Sequence, residues 1–108
     1  IDMINDWLRK TRSGHKYFDG TMIEDNRPRL HCKDGYSVSV QASRFHYCQP
    51  RVDGADKYES VELGFPNRED PLINDYAEDD GDLTRTVYGY VPVDVVNELI
   101  EKHGGIVE

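Results

Sequence analysis

The chain has 108 residues, with 21 Asp and Glu against 13 Lys and Arg and a formal net charge of −8 at pH 7. This length predicts a single domain, residues 1–108, that buries roughly two-thirds of its unfolded surface around one core without disulfides or a metal. No run approaches the ~20 apolar residues of a membrane span and no signal-peptide core opens the chain, so we expect no membrane contact and a cytoplasmic location.

The first predicted element is a helix over residues 2–12, with Asp2 as its N-cap and Ser13-Gly14 at its end. Four apolar residues fall near one face of this helix: Ile1, Ile4, Trp7 and Leu8. A strand is predicted over residues 17–23, where Gly20 marks a bulge or a close approach of another backbone.

A β-hairpin around Asp34-Gly35 is the clearest local pattern. A two-residue turn would pair Lys33 with Tyr36, whereas a three-residue loop over 33–35 would pair Cys32 with Tyr36. We predict the three-residue loop, because its register gathers the apolar side chains on one face and gives the loop a left-handed glycine. The apolar pairs of that register are Cys32–Tyr36, Leu30–Val38 and Pro28–Val40.

The same register directs six polar residues to the opposite face of the hairpin: Arg27, Arg29, His31, Ser37, Ser39 and Gln41. Up to this point the apolar residues of the second strand occupy even-numbered positions. This alternation breaks at residues 42–44, and the next apolar residues, Phe45 and Tyr47, occupy odd-numbered positions. A bulge or sharp bend is therefore predicted there, with Phe45 and either His46 or Tyr47 in the core.

The middle of the chain predicts a loop over residues 50–56 and a strand over 57–65. In that strand Val61, Leu63 and Phe65 are expected to point inward and Tyr58, Ser60 and Glu62 outward. Asp70-Pro71 predicts the N-cap and first position of a short helix. Its expected buried residues are Leu72, Ile73, Tyr76 and Ala77. Residues 78–82 predict an exposed acidic loop.

A strand over residues 84–91 and a helix after Pro92 complete the predicted elements. The apolar stripe of this helix consists of Val95, Val96, Leu99 and Ile100. Lys102-His103 lie in its last turn, Gly104 is the C-cap glycine, and Ile106-Val107 add a short edge strand. The predicted fold class is α+β: one domain with a mainly antiparallel β-sheet and two to three helices packed on one face.

The two cysteines and their histidine neighbours do not predict a metal site. His31 and Cys32 are adjacent in a strand and point to opposite faces, and the two remaining candidates, His46 and Cys48, are too few ligands. We expect Cys32 and Cys48 to be reduced, partly buried thiols, with a disulfide between them as the alternative. No cofactor is predicted.

Catalytic signatures are weak along the whole sequence. There is no G-x-S-x-G elbow and no phosphate-cradling glycine loop, and Asp79, Asp80 and Asp82 lack the remainder of a calcium-binding loop. No catalytic residue is predicted, and a non-enzymatic protein is favoured over an enzyme.

Charge is divided between the two parts of the chain. Residues 7–51 carry a net charge of +5, whereas residues 52–108 carry −11. An acidic total disfavours direct nucleic-acid binding, because phosphate contacts dominate that affinity. Carboxylates on a rigid scaffold can instead imitate phosphates and occupy a basic groove of a partner. The predicted acidic face comprises Glu69, Asp70, Glu78, Asp79, Asp80 and Asp82.

The basic first half supplies an alternative site. Guanidinium groups bind phosphates or carboxylates in a bidentate manner, and aromatic rings stack on bases. Small ribonuclease toxins use a similar set of residues, although they are usually basic overall. The alternative ligand-binding residues are Arg27, Arg29, Arg44, His46, Tyr47 and Arg51.

Three segments resemble small uncharacterised proteins from phages and prophages of Firmicutes. They are RPRLHCKDGYSVSVQASRFHYCQPR (27–51), YESVELGFPN (58–67) and TVYGYVPVDVVNELIEKHGGI (86–106), about half of the chain. The resemblance implies a compact accessory protein in an infected or lysogenic bacterial host, of the kind that inhibits host defences, as anti-CRISPR proteins do. It carries over no site residue.

Together these observations predict a phage accessory protein that binds and inhibits a nucleic-acid-handling protein of the host. The acidic face is the predicted binding surface. Nucleotide or RNA binding by the arginine-rich residues is the alternative. A virion or assembly component, which would form a homo-oligomer, is the third hypothesis.

Overall fold

A computed structural model of the chain describes residues 2–108, so the predicted place of Ile1 on the first helix lies outside the described residues. The elements in chain order are α1 (Met3–Lys10), β1 (Gly14–Lys16), β2 (Met22–Glu24), β3 (Leu30–His31), β4 (Ser37–Gln41), β5 (Ser60–Gly64), a 3-10 turn (Asn74–Tyr76), β6 (Val87–Pro92) and α2 (Val93–Lys102). The predicted α+β class is confirmed, with two α-helices and six antiparallel strands in two sheets. Neither helix has the length and apolar character that crossing a membrane requires.

Helix α1 begins and packs as its sequence predicts. The Asp2 carboxylate accepts the Asn5 N–H at 3.3 Å, which satisfies one of the free donors at the helix start. Ile4 and Leu8 are buried in the core. The Asn5 amide bonds both backbone groups of Tyr58, at 3.0 and 2.8 Å, and so ties the helix to the chain entering β5.

The prediction of one continuous strand over residues 17–23 is wrong. Two shorter strands, β1 and β2, pair with each other as a separate antiparallel hairpin, and residues 17–21 form the turn between them. The Tyr17 N–H donates to the Thr21 carbonyl at 2.9 Å, and Gly20 has φ +89°. Glycine adopts this left-handed conformation at little cost, so the chain reverses where the prediction had it continue.

The second sheet has the strand order β3-β4-β5-β6 and contains the predicted hairpin. The three-residue loop is confirmed, because Leu30 pairs with Val38 and the Cys32 N–H donates to the Tyr36 carbonyl at 2.8 Å. The ladder does not extend back to Pro28, since β3 begins at Leu30. The apolar face of the sheet is buried against helix α2.

Both edges of this sheet are covered by other segments of the chain. At β3 the Val107 N–H donates to the His31 carbonyl at 2.8 Å, so the C-terminal segment adds a short bridge near its predicted place. At β6 the Glu78 N–H donates to the Val87 carbonyl at 2.9 Å, and the Tyr90 N–H donates to the Tyr47 carbonyl at 3.0 Å. Covered edges oppose association by strand pairing.

The predicted alternation of inward-pointing and outward-pointing side chains over residues 57–65 is wrong in part. Tyr58 and Ser60 are buried, whereas Phe65 is half-exposed with φ +52°. The reason is an irregular register between β5 and β6 around Val61 and Leu63, together with the left-handed conformation of Phe65 directly after β5. A simple period of two does not continue through either feature.

The short helix predicted after Asp70-Pro71 is replaced by turns and the 3-10 turn, although Ile73 is buried as predicted. The Asp70 carboxylate accepts the Leu72 N–H at 3.0 Å, as an N-cap would. Helix α2 matches its prediction and is followed by Gly104 with φ +90°. The Gly105 N–H closes the helix end on the Ile100 carbonyl at 3.0 Å.

Candidate binding surfaces

The acidic loop, residues 78–82, is exposed and ordered by hydrogen bonds. The Asp79 N–H donates to the Thr86 hydroxyl oxygen at 3.0 Å, and the Asp79 carboxylate accepts the Gly81 N–H at 2.9 Å. The Asp82 carboxylate accepts the Thr84 N–H and hydroxyl at 3.0 and 2.8 Å, which lowers the pKa of Asp82. Local hydrogen bonds therefore fix the carboxylates of Asp79 and Asp82 in this loop.

Glu69 is exposed, and its charge and that of Asp82 both act on the buried Tyr88 ring. Burial raises the pKa of Tyr88, and the nearby negative charges of Glu69 and Asp82 raise it further. The Tyr88 hydroxyl donates to the Leu83 carbonyl, so this ring is packed directly beneath the loop. Five of the six predicted acidic-face residues are exposed: Glu69, Glu78, Asp79, Asp80 and Asp82.

Asp70 is not part of the acidic surface, because it is only 2 % exposed. Its Oδ2 lies 2.8 Å from His103 Nε2, and its Oδ1 accepts from Lys102 Nζ at 3.0 Å. The other ring nitrogen of His103 lies 2.7 Å from Asp34, and the ring stacks on Tyr36 with 4.0 Å between centroids. Asp70 therefore joins the end of α2 to the rest of the fold, and no partner can reach its carboxylate directly.

Arg27, the first of the alternative ligand-binding residues, is buried, with 6 % of its surface exposed. Its guanidinium donates to the Leu8 and Ala42 carbonyls and to Glu24 Oε1 at 2.7 Å. Gln41 bonds the backbone N–H and carbonyl of Arg27 at 2.8 and 3.0 Å. With its donors used inside the protein, Arg27 does not face a ligand.

Arg29 is also bound internally. Its guanidinium donates to the Ser37 hydroxyl and carbonyl at 3.2 and 3.0 Å and to the Phe65 carbonyl. These contacts lie at the end of the sheet away from Arg44 and Arg51. On the polar face of the hairpin Arg27, Ser37 and Gln41 are therefore buried, whereas Arg29 and His31 are exposed.

The remaining alternative residues come together around a bend. Strand β4 ends at Gln41 and the chain turns over residues 43–47, which confirms the predicted bend. Phe45 is 56 % exposed, so the prediction that it enters the core is wrong. Of the predicted alternatives Tyr47 is 39 % exposed and His46 is half-buried, whereas Ser43 and Cys48 are fully buried. In an irregular segment the spacing of aromatic residues does not report which side is buried.

Arginine and aromatic side chains alternate along this bend. The Arg44 guanidinium lies 4.9 Å from the centre of the Phe45 ring, and that of Arg51 lies 5.5 Å from the Tyr47 ring. Arg51 Nε donates to the Arg44 carbonyl at 3.1 Å. The Tyr90 ring lies 5.8 Å from Tyr47. Tyr90 is half-exposed at φ +53°, a conformation that the alternating pattern of β6 does not reveal.

Comparison with protein-family models, curated proteins and solved structures finds no match to this chain.

The bend also contains a serine and a histidine at hydrogen-bond distance, but the pair is structural. Ser43 Oγ lies 2.7 Å from His46 Nδ1 and also accepts the Phe45 N–H at 3.1 Å. Ser43 is buried, so its hydroxyl cannot meet a substrate. Burial lowers the pKa of His46, which remains half-buried beside the arginines.

Both cysteines are free and buried, and no disulfide joins them. Burial raises the pKa of Cys32 to about 11 and also raises that of Cys48. A buried, protonated thiol is a poor nucleophile and a poor metal ligand. Within residues 2–108, no three His, Cys, Asp or Glu side chains are placed to hold a metal ion.

Proposed function

We propose that the protein acts by binding, as a phage or prophage accessory protein that inhibits a host defence protein that handles nucleic acid. The acidic surface, Glu69 with the acidic loop, enters a basic groove of that partner. The resemblance to phage proteins supports the host context, and the charge distribution supports the choice of surface.

The observation that carries this proposal is the exposure of four carboxylates in residues 78–82, two of which, Asp79 and Asp82, are fixed by hydrogen bonds. Glu78, Asp79, Asp80 and Asp82 are exposed, and within residues 2–108 their one ion pair is that of Asp82 with Arg85, at 3.6 Å. Such an exposed ion pair is weak and exchanges readily for a partner's cation. Because the loop is already ordered, binding loses less conformational entropy than it would from a disordered acidic tail.

The binding test combines recovery of the partner with neutralisation of the loop. The tagged protein is incubated with nuclease-treated bacterial lysate, and bound proteins are identified by mass spectrometry. We expect one stoichiometric nucleic-acid-handling protein. Replacing the loop residues with their amides (Glu78→Gln, Asp79→Asn, Asp80→Asn, Asp82→Asn) should weaken its binding at least about tenfold and flatten the salt dependence.

The matched control neutralises four exposed carboxylates elsewhere: Asp75→Asn, Asp94→Asn, Glu98→Gln and Glu101→Gln. The net charge of the control equals that of the loop variant, so only the position of the charges differs. Equal affinity of the two variants for the recovered protein would refute the role of the acidic loop.

The alternative function, nucleotide binding by the arginine-rich residues, has fewer residues available than the sequence predicts. Arg27 is buried, and the exposed Arg29 is bonded to Ser37 and Phe65. This leaves Arg44, Tyr47 and Arg51 on one surface, with His46 half-buried beside them. We expect no excess absorbance near 260 nm in freshly purified protein. An absorbance maximum near 260 nm that disappears on unfolding and ultrafiltration would favour the alternative.

A further inference from the structure

Four of the nine glycines in this chain directly follow an aspartate. These Asp-Gly steps are Asp19-Gly20, Asp34-Gly35, Asp53-Gly54 and Asp80-Gly81. In such a step the glycine nitrogen can attack the aspartate side chain, because glycine has no Cβ to obstruct the approach. Two conditions decide whether this attack occurs in a folded protein. The carboxyl group must be free to turn towards the nitrogen, and the nitrogen must give up its proton.

The carboxyl group is bound in three of the four steps, because in each of them it accepts a backbone N–H. The acceptors and their donors are Asp19 with Thr21, Asp34 with Tyr36 and Asp53 with Arg44, each at 2.9 Å. The Asp34 carboxylate also lies 2.7 Å from the His103 ring. These hydrogen bonds must break before the carboxyl carbon can approach the glycine nitrogen, which slows the attack.

The carboxyl group of Asp80 is free by comparison. Within residues 2–108 it makes neither a hydrogen bond nor an ion pair, and both Asp80 and Gly81 are exposed. The side-chain hydrogen bonds in this part of the loop belong to the neighbours Asp79 and Asp82. Asp80 can therefore turn its carboxyl carbon towards the Gly81 nitrogen without losing a contact.

The Gly81 N–H also has the most suitable proton acceptor of the four steps. It donates to Oδ1 of Asp79 at 2.9 Å, and Asp79 is exposed. At two of the other steps the glycine N–H donates to a backbone carbonyl, which is not a base. At the third it donates to Glu24, whose carboxylate is buried in its ion pair with Arg27. Among the four steps, the one at Gly81 combines a free carboxyl group with an exposed carboxylate base.

We propose that Asp80 is a site of spontaneous isomerisation to isoaspartate. Asp80 reacts in its carboxylic acid form: Asp79 takes the proton from the Gly81 nitrogen, and this nitrogen forms a bond to the Asp80 carboxyl carbon. The hydroxyl of the acid then leaves as water with the proton that Asp79 returns, and the product is a cyclic succinimide. A second water opens the ring at either carbonyl and gives aspartate or isoaspartate. No oxidant, cofactor or enzyme takes part.

Isomerisation changes the shape of the acidic loop. In isoaspartate the main chain runs through the former side chain, so an additional carbon lies between residues 80 and 81 and the carboxylate is attached directly to Cα. The Gly81 N–H is thereby displaced from Asp79, and the loop loses one of the hydrogen bonds that order it. Weaker partner binding by the isomerised loop is a consequence that rests on the proposed function, whereas the isomerisation itself does not.

Prolonged incubation of the purified full chain tests the proposal, with the other three Asp-Gly steps as internal controls. Peptide mass spectrometry with electron-transfer fragmentation distinguishes isoaspartate from aspartate at each step. Each rate in the folded protein is divided by the rate in the chain unfolded in guanidinium chloride, which removes the effect of local sequence. We expect this ratio at Asp80 to exceed the other three at least about fivefold, the factor that one hydrogen bond of ordinary net strength implies. A ratio at Asp80 no higher than that at Asp19 overturns the proposal.

Two variants test Asp79 as the proton acceptor. Asp79→Asn keeps an oxygen that accepts the Gly81 N–H but removes the base, so it should slow isomerisation at Asp80 at least about tenfold. Asp82→Asn is the matched control, because it removes the same charge from the loop and should leave the rate unchanged. Circular dichroism verifies that both variants are folded. Equal rates in the two variants overturn the role of Asp79. Neither experiment uses the host partner, so failure here is distinct from failure of the proposed function.

Discussion

Replacing His103 with Gln is expected to lower the free energy of unfolding by about 1.5–3 kcal/mol, the range for losing hydrogen bonds to charged groups. His103 lies between Asp70 and Asp34, with ring nitrogens at 2.8 and 2.7 Å from their carboxylates. Each ring nitrogen thus lies at hydrogen-bond distance from a carboxylate, so the ring bridges Asp34 and Asp70. Without it, the carboxylate of Asp70 is left buried with Lys102 as its remaining charged partner.

The contacts of His103 join three parts of the chain that are distant in sequence. The residue ends helix α2, Asp34 belongs to the β3–β4 loop, and Asp70 precedes the 3-10 turn. The ring also stacks almost parallel on Tyr36, at an interplanar angle of 6°. Loss of His103 should therefore loosen the end of α2 as well as lower global stability.

Urea unfolding followed by circular dichroism measures the effect. Asp70→Asn and the double variant complete a mutant cycle, and we expect the double variant to cost less than the sum of the two single changes. His31→Gln is the control, because His31 is exposed on β3 and its substitution should change stability by less than about 0.5 kcal/mol. A His103→Gln variant as stable as this control would contradict the prediction.

The contact between Asp70 and His103 also predicts that the free energy of unfolding depends on pH. Burial raises the pKa of Asp70, but hydrogen bonds from the Leu72 N–H, His103 and Lys102 outweigh it and leave the pKa below its usual range. The stabilisation is therefore fully present above the unfolded pKa of about 3.9 and is lost as pH falls through the lower folded pKa. The stability difference between wild type and Asp70→Asn should narrow as the pH is lowered from about 5 towards 3.

The parts of the fold that sequence predicts correctly depend on contacts that are local. The register of the β3–β4 hairpin follows from Gly35 and from apolar residues at every second position, and both are set within a dozen residues. Helix α2 follows from its apolar stripe and from the glycine after it. The errors fall where the backbone is irregular, as at Gly20, Phe65 and the bend at residues 43–47.

For charged residues the sequence predicts even less well which side chains are buried. Arg27 and Arg44 are similar in sequence context, since both lie in polar stretches near the hairpin. Only the tertiary structure buries Arg27 against a carbonyl of α1 and leaves Arg44 in solvent. Asp70 is buried whereas its neighbour Glu69 is exposed, because Asp70 is bound by His103, which lies 33 positions away in the sequence. The acidic loop is predicted correctly as an exposed segment, since four of its five residues are acidic and the fifth is glycine.

Replacing Arg27 with Met is expected to destabilise the protein by about 3–5 kcal/mol, because a buried carboxylate loses its charged partner. The side chains of Arg27 and Glu24 are 2 % and 5 % exposed, and 2.7 Å separates their charged atoms. The guanidinium also satisfies the Leu8 and Ala42 carbonyls, which would remain buried without a donor. Methionine preserves most of the side-chain volume, so the loss reports hydrogen bonds and charge rather than a cavity.

Removing both charges separates the ion pair from the hydrogen bonds to carbonyls. In Glu24→Gln with Arg27→Met no buried charge remains, and an amide at position 24 can still accept the Gly54 N–H, which lies 2.9 Å from Glu24 Oε2. We therefore expect the double variant to recover part of the stability lost in Arg27→Met, measured by urea unfolding. Because Glu24 holds the loop that carries Asp53 and Gly54, Arg27→Met should also increase amide hydrogen exchange in residues 44–54. If Arg27 were instead a ligand-binding residue, Arg27→Met would leave both stability and exchange unchanged, and the double variant would show no recovery.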